Sequence, residues 1–204
     1  MTYKATIENA IRNMPKGSVF TLSDLGNLSD EETLKKTVQR LAQKGFIKRV
    51  MRGVYVYPKY SELLQQNVGA SPNKVAEAIA RSYGWTVAPC GDTALNLLGL
   101  STQVVAVWLY LSNGPYKQYS FDNVKIHFKH TTNREISNLS YKTVLVVQAF
   151  KAIGKNNIKE IESAIDILRS KFSSPDKELI LKESKYVSNW IYSAIKKIYE
   201  AKYE

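Results

Sequence analysis

The sequence contains few of the residues that carry metal binding or redox chemistry. Its 204 residues include one cysteine, Cys90, and two histidines, His127 and His130. A single cysteine excludes an internal disulfide framework and a zinc site made of cysteines alone. It also fits a reducing compartment. Because no cysteine lies near the two histidines, we expect no metal site and no cofactor.

Long apolar runs are absent as well. No run is long enough to span a bilayer, and the first segment, MTYKATIENA, lacks the apolar core of a signal peptide. We therefore expect a cytoplasmic protein that does not bind a membrane. The hydrophobic fraction of 44% is nevertheless sufficient for a globular core.

The sequence also lacks a recognisable catalytic constellation. The segment Gly91–Leu95 has neither the glycine spacing nor the lysine of a phosphate-binding loop, so a capped helix explains it better. Cys90 has no evident catalytic partner, which favours a buried thiol. Carboxylate pairs such as Glu160 and Glu162 lie on helices where a solvated face accounts for them. We expect no enzymatic activity.

Positive charge, in contrast, is abundant and unevenly placed. The formal net charge is +11, and residues 1–60 hold 11 Lys and Arg against 5 Asp and Glu, which is more than half of the excess. Such a surplus attracts the phosphate backbone of DNA. A solvated basic surface explains the charge alone equally well. The secondary structure on which the basic residues lie therefore has to decide between DNA binding and a solvated surface.

That pattern is a helix followed at once by a hairpin, between Ser29 and Pro58. Ser29 and Glu32 have the spacing of a capping box, which predicts a helix that begins there and runs to about Lys44. Gly45 is placed to end this helix in a left-handed conformation. Two strands should follow, Phe46–Val50 and Val54–Tyr57, joined by a turn at residues 51–53.

The preceding residues complete a known arrangement. Tyr3–Met14 is predicted to be a helix, Ser18–Phe20 a short strand that pairs with the hairpin, and Thr21 the start of a second short helix. Helix, strand, helix, helix and hairpin in this order predict a winged helix-turn-helix over residues 1–60. The residues we expect to face DNA are Ser29, Thr33, Lys36, Arg40, Gln43, Lys44, Lys48, Arg49 and Arg52.

The remaining sequence predicts a connector and a second domain. Residues 61–72 read as an irregular connector, with a helical turn or two across Tyr60–Gln66, and residues 73–204 as a mixed α/β domain. We expect a three-stranded antiparallel meander there and several C-terminal helices, the first capped by Ser140. The predicted strands are Val104–Leu111, Tyr116–Phe121 and Val124–Lys129. The fold class predicted for the whole chain is α+β.

Three pieces of the chain resemble the AbiEi-type antitoxin superfamily of winged-helix regulators, and above all its shorter uncharacterised members. They are Pro15–Phe20 with Leu41–Ile47 and Arg52–Tyr55, then Gly91–Leu95 with Gly99–Gln103, and finally Ile126–His130 with Arg134. The resemblance implies an N-terminal domain that binds DNA and represses its own promoter. It also implies a C-terminal α/β domain that opposes a nucleotidyltransferase-type toxin, as in type IV toxin–antitoxin systems.

For the second domain the sequence leaves several functions open. The polar segment Ser101, Thr102 and Gln103 could bind a partner, and Lys129, His130 and Arg134 could form a basic patch. A partner-, RNA- or ligand-binding module outside toxin–antitoxin systems is the main alternative, and a nucleic-acid-processing enzyme the less favoured one. One helix and one hairpin contact a small DNA site, so specific binding by the first domain calls for a homodimer or several bound copies.

Overall fold

In a computed structural model the chain has a mixed α+β fold. The structure describes residues 3–132, 136 and 138–200. It divides into two compact units, residues 1–85 together with 119–125, and residues 86–118 together with 126–204. Among the described residues, no helix has both the length and the apolar character needed to cross a membrane.

The described residues up to 85 form three helices, a 3-10 helix and five short strands. An apolar core connects the elements at the start of the first unit. Its buried side chains include Ile7, Phe20, Leu34 and Val38. The elements are α1 (Tyr3–Arg12), β1 (Val19–Thr21), the 3-10 helix (Ser23–Leu28), α2 (Glu31–Gln43), β2 (Lys48–Met51), β3 (Val54–Val56), β4 (Lys59–Ser61), β5 (Gln66–Val68) and α3 (Pro72–Tyr83).

Three of these strands form an antiparallel sheet in the order β1-β3-β2. Val19 pairs with Val56 and Thr21 with Val54, so the predicted pairing of the first strand with the hairpin is confirmed. All three of these valines are buried. The central strand β3 is therefore held from both sides by ladder hydrogen bonds and covered by side-chain packing.

Helix α3 belongs to this unit by its contacts. The Arg81 guanidinium binds Asp24 (Nε to Oδ1, 3.0 Å) and donates to the Val19 carbonyl oxygen (3.2 Å). Partial burial would raise the pKa of Asp24, but hydrogen bonds from Arg81 and Thr21 lower it below its usual value. The expected boundary at residues 61–72 separates domains that fold independently. A division by contacts does not test independent folding, so this boundary stays a prediction.

Two predicted helices of this unit differ from the structure. The second short helix is a 3-10 helix that begins at Ser23, so its N-cap is Leu22 rather than the predicted Thr21. Asp24 does accept a hydrogen bond from the Thr21 amide (2.8 Å), as its capping-box-like spacing predicted. The helical turns expected across Tyr60–Gln66 are wrong. A β-hairpin forms there because Gln65 takes a left-handed conformation (φ +48°) and reverses the chain, which pairs Tyr60 with Asn67.

The second part of the chain combines a four-stranded sheet with helices. The elements are β6 (Val87–Pro89), α4 (Asp92–Leu98), β7 (Val107–Ser112), β8 (Lys117–Phe121), β9 (Val124–His130), α5 (Tyr141–Ile153), α6 (Ile158–Lys171), α7 (Ser174–Glu183), a 3-10 helix (Ser184–Tyr186) and α8 (Asn189–Tyr199). Helices α5 to α8 surround a core that includes Val146, Phe150, Leu168 and Ile195.

The sheet order is β6-β7-β9-β8, so the predicted simple meander is wrong. Strand β9, rather than β8, lies beside β7. The amide of Thr131, just beyond β9, donates to the Ser112 carbonyl oxygen (2.8 Å), and His130 Nδ1 donates to the Gly114 carbonyl oxygen (2.9 Å). These long-range bonds join the ends of β7 and β9, whereas adjacency in sequence favoured β7 and β8.

The start of α5 is held by a carboxylate from another helix. Ser140 occupies the N-cap position as predicted, but its hydroxyl donates to Glu183 Oε2 (2.7 Å) instead of capping the helix itself. The same oxygen accepts from the Ser140 amide (3.0 Å) and the Thr143 hydroxyl (2.5 Å). Partial burial would raise the pKa of Glu183, but the hydrogen bonds from Thr143 and Ser140 lower it.

Substitution Glu183→Gln should destabilise the protein because a neutral amide binds the helix start more weakly than a carboxylate. We expect a loss of about 1 kcal/mol in the free energy of unfolding at neutral pH. Since the folded-state pKa is depressed, this stabilisation is present above the unfolded pKa and lost as the pH falls through the folded one. Denaturant unfolding at neutral and acidic pH should show the difference disappearing in acid, whereas Glu178→Gln, an exposed change on the same helix, should have little effect at either pH.

Candidate nucleic-acid interface

Helix α2 begins one residue later than its sequence pattern predicts. Its N-cap is Asp30, whose Oδ1 accepts a hydrogen bond from the Thr33 amide (2.9 Å). Ser29 ends the preceding 3-10 helix in an extended conformation, and its hydroxyl donates to Asp30 Oδ2 (3.3 Å). The predicted capping box is therefore wrong, and Glu32 pairs with Lys36 instead (2.6 Å). The Thr33 hydrogen bond lowers the pKa of Asp30.

The end of α2 follows the prediction. Gly45 has a left-handed conformation (φ +72°). Its amide donates to the Ala42 carbonyl oxygen (3.0 Å), and the Phe46 amide donates to that of Leu41 (3.0 Å). This pair of bonds is a Schellman motif, which satisfies carbonyls at the helix end and reverses the chain. Strand β2 consequently starts only four residues after Lys44, the C-cap of the helix.

The two halves of α2 differ in charge. Leu34, Val38 and Leu41 are buried, so the helix presents its opposite face outward. In the first half, Lys35 pairs with Glu31 (3.0 Å) as Lys36 pairs with Glu32, which cancels most of the charge. In the second half Arg40 and Lys44 are exposed, and neither has a carboxylate partner among the described residues. Gln43 is exposed there too, and Thr33 and Ser29 are half-buried.

The hairpin after α2 adds further positive charge. Arg52 is exposed at a tight turn in which Gly53 has φ +79°. Lys48 pairs with Val56 and Arg49 with Tyr55, so the two cations lie on opposite faces of the sheet, as their adjacency predicted. A β-bulge follows Arg49, whose Nε donates to the Met51 carbonyl oxygen (3.3 Å). This bond holds the guanidinium near the turn.

Helix and hairpin meet at one cleft of about 370 Å³. Ala42 and Gly45 line it from the helix end, and Lys48 and Arg49 from the hairpin. The structure thus brings the second half of α2 next to the base of the hairpin. The resulting surface, which we call the α2–hairpin surface, consists of Arg40, Gln43, Lys44, Lys48 and Arg52. Arg49 is left out because its side chain leaves the strand on the face opposite to that of Lys48.

The polar segment predicted to bind a partner borders a separate cleft in the second unit. Ser101 and Gln103 line this cleft of about 500 Å³ together with apolar side chains such as Leu95 and Ile167. The backbone amide of Gln103 donates to the Ser101 hydroxyl (3.2 Å), and Asn96 Nδ2 donates to the backbone carbonyl oxygen of Gln103 (3.2 Å). These two hydrogen bonds fix the conformation of the segment. Thr102 between them is exposed.

The predicted basic patch is not assembled by the described residues. Lys129 and His130 are both exposed, but as neighbours in strand β9 they point to opposite faces. His127 and His130 are likewise on opposite faces, so they cannot act together on one ligand. Arg134 lies outside the described residues. Among the residues that are described, no three His, Cys, Asp or Glu side chains group as metal ligands.

Cys90 is buried, as expected. Burial raises the pKa of its thiol to about 11. The thiolate, which is the nucleophilic form, is therefore scarce at neutral pH. Cys90 accordingly contributes to packing rather than to a site.

Comparison with known proteins assigns the chain to a protein family. The model of a family of unknown function, DUF6088, matches residues 6–179. No curated protein matches the chain. Among solved structures, the chain is similar to the crystal structure of the RV2827C protein from Mycobacterium tuberculosis, with 12% sequence identity and a TM-score of 0.43. That similarity covers 98% of this chain and 76% of the mycobacterial one.

Substitutions at the start of α2 distinguish the two candidate caps. Asp30→Ala removes the acceptor for the Thr33 amide and should lower the midpoint of thermal unfolding by several degrees. Ser29→Ala, the matched control, should leave it almost unchanged, because the Ser29 side chain does not bond the helix backbone. Calorimetry in which Ser29→Ala is the more damaging of the two would contradict the assignment of the cap.

Proposed function

Since the chain belongs to the DUF6088 family, whose function is unknown, we propose its function from its geometry: it is a sequence-specific transcriptional regulator that binds duplex DNA. The first unit is a winged helix-turn-helix in this proposal, with α2 as the recognition helix and the β2–β3 hairpin as the wing. The order α1, β1, 3-10 helix, α2, β2, β3 supports it, as does the β1-β3-β2 sheet.

The observation that carries the proposal is the continuity of charge on the α2–hairpin surface. Arg40 and Lys44 on the helix lead into Lys48 and Arg52 on the hairpin, and the described residues supply no carboxylate partner for any of the four. Surface cations without carboxylate partners repel one another, and when they neutralise DNA phosphates, the counterions condensed on the DNA are released. A duplex offers phosphates to the hairpin while its major groove admits a helix.

The exposed residues of the surface differ in the contacts that they can make. The Arg40 guanidinium matches O6 and N7 of guanine and is our candidate for base recognition, and Gln43 next to it can contact a base edge. Lys44, Lys48 and Arg52 are suited to phosphates. Lys36 is a weaker candidate than its position suggested, because its charge is already satisfied by Glu32.

The wider regulatory role extends this proposal. A DNA-binding unit of this size reads a short site, so we propose that a homodimer or several copies occupy the protein's own promoter. The second unit would engage a nucleotidyltransferase-type toxin, as the resemblance to AbiEi-type antitoxins implies. The cleft beside Ser101 and Gln103 supports a partner-binding role. Co-expression with the product of the adjacent gene tests the antitoxin role. If that product inhibits growth and the full chain does not restore it, the result argues against this role.

Gel shifts with DNA from upstream of the gene test DNA binding directly. Arg52→Ala should weaken binding to every sequence and reduce the slope of log K against log salt by about 1, because one phosphate contact is lost. Arg40→Ala should cost about 1–3 kcal/mol of binding free energy and relax the preference at a single base pair.

The control for both variants is Lys185→Ala, which removes the same charge from an exposed position of the second unit. If Lys185→Ala weakens binding as much as the two arginine variants do, net charge alone drives the association and the proposed recognition is wrong.

A further inference from the structure

Three lysines converge on Gly17 in the first unit, away from any role assigned above. Lys74 Nζ on helix α3 donates to the Gly17 carbonyl oxygen (3.3 Å). The side chain of Lys59 runs past the same glycine, with its Cβ 3.6 Å from the place where a Cβ on Gly17 would lie. Lys16 precedes Gly17 and has its Nζ 3.6 Å from the centre of the Tyr57 ring.

No carboxylate compensates this group, which we call the Gly17 lysine cluster. Within the described part of the chain, none of Lys16, Lys59 and Lys74 forms an ion pair, and all three are exposed. The cluster is held in place by the backbone, because the Gly17 amide donates to the Tyr57 carbonyl oxygen (2.7 Å). Like charges fixed close together repel one another, and a bound anion relieves that repulsion.

A cleft of about 610 Å³ extends from this cluster to the β4–β5 hairpin. Lys16, Lys59, Tyr60 and Asn67 all line it. Tyr60 and Asn67 are a cross-strand pair, so their side chains share one face of the hairpin. Tyr60 is 58% exposed, so its ring is open to a ligand from solvent.

Cations and an exposed aromatic ring that line one cleft match the two components of a nucleotide. Lysines bind a phosphate, and every nucleobase has a face that stacks on an aromatic ring. The amide of Asn67, next to Tyr60, can donate to and accept from the edge of a base. A base inside a duplex presents no free face, whereas the bases of a single strand are open to stacking.

We propose that this cleft binds single-stranded nucleic acid, with a backbone phosphate on Lys16 and Lys59, the two members of the Gly17 lysine cluster that line it, and a base stacked on Tyr60. The charged residues of this site differ from those of the α2–hairpin surface, which would bind duplex DNA, although Gly45, Pro58 and Asn67 line both clefts. The protein would then have two nucleic-acid sites in its first unit, one for a duplex and one for a strand.

Fluorescence anisotropy of the full chain with a labelled oligo(dT), and with an oligo(U), of about 12 nucleotides tests the site. Tyr60→Ala and Lys59→Gln should each weaken binding of at least one of the two strands by about tenfold, whereas Tyr60→Phe, which keeps the ring, should not. Lys59→Gln retains most of the side-chain stem that contacts Gly17. Circular dichroism and thermal melts establish that each variant is folded.

The matched controls are Tyr186→Ala and Lys185→Gln, which change exposed residues of the second unit. Because these residues lie outside the cleft, each control should leave the affinity for the single strand within about twofold of that of the unsubstituted protein. Duplex binding should be unchanged in Tyr60→Ala, while Arg40→Ala should show the opposite pattern. Three results would overturn the proposal: binding of neither strand, equal losses in the controls, or competition by free dTMP or inorganic phosphate at the concentration that the oligonucleotide itself requires.

Discussion

The hydrogen bond from the Phe46 amide to the Leu41 carbonyl oxygen fixes the arrangement on which the first unit depends. It closes helix α2 at Gly45 and sends the chain into β2 without a flexible loop. Phe46 then packs against Tyr57, with ring centres 5.4 Å apart, and the Arg12 guanidinium lies 4.8 Å from the centre of the Phe46 ring. These contacts hold the end of helix α2 against the hairpin.

This constraint explains why the exposed cations of the unit form surfaces rather than isolated charges. Arg40 and Lys44 lie on the last turns of a helix whose end is fixed, and Lys48 follows on a strand whose register is set by β3. Beyond β3, the chain returns through Tyr57 and Lys59 to Gly17, where the second group of lysines lies. Both surfaces therefore rest on the same three-stranded sheet.

The sequence was most informative where one residue decides the local structure. The left-handed Gly45 was predicted correctly, because such a glycine leaves the chain little choice. The turn of the hairpin was predicted one residue too long, because Met51 belongs to strand β2 and pairs with Val54. The cap of α2 was misplaced by one residue, since Ser29 and Asp30 are both good N-caps and only the end of the 3-10 helix decides between them. The order of β7, β8 and β9 was missed because bonds from Thr131 and His130, far along the chain, select it.

In the candidate sites, too, features set by neighbouring residues could be predicted, whereas contacts between residues far apart in the chain could not. The exposure of Arg40 and Arg52 followed from helical and hairpin spacing. The pairing of Lys36 with Glu32 also had the right spacing, i to i+4, and could have been anticipated. Nothing local groups Lys16 with Lys59 and Lys74, because the fold of β1, β3 and α3 alone brings them to Gly17.

Amide hydrogen exchange of the full chain, with and without duplex DNA from its own upstream region, tests the central claim most directly. If the α2–hairpin surface binds the duplex, protection should appear in residues 36–44 and 48–54, and salt should remove it as binding weakens. Protection confined to residues 86–118 and 138–200, or none at any concentration of DNA, would contradict the claim.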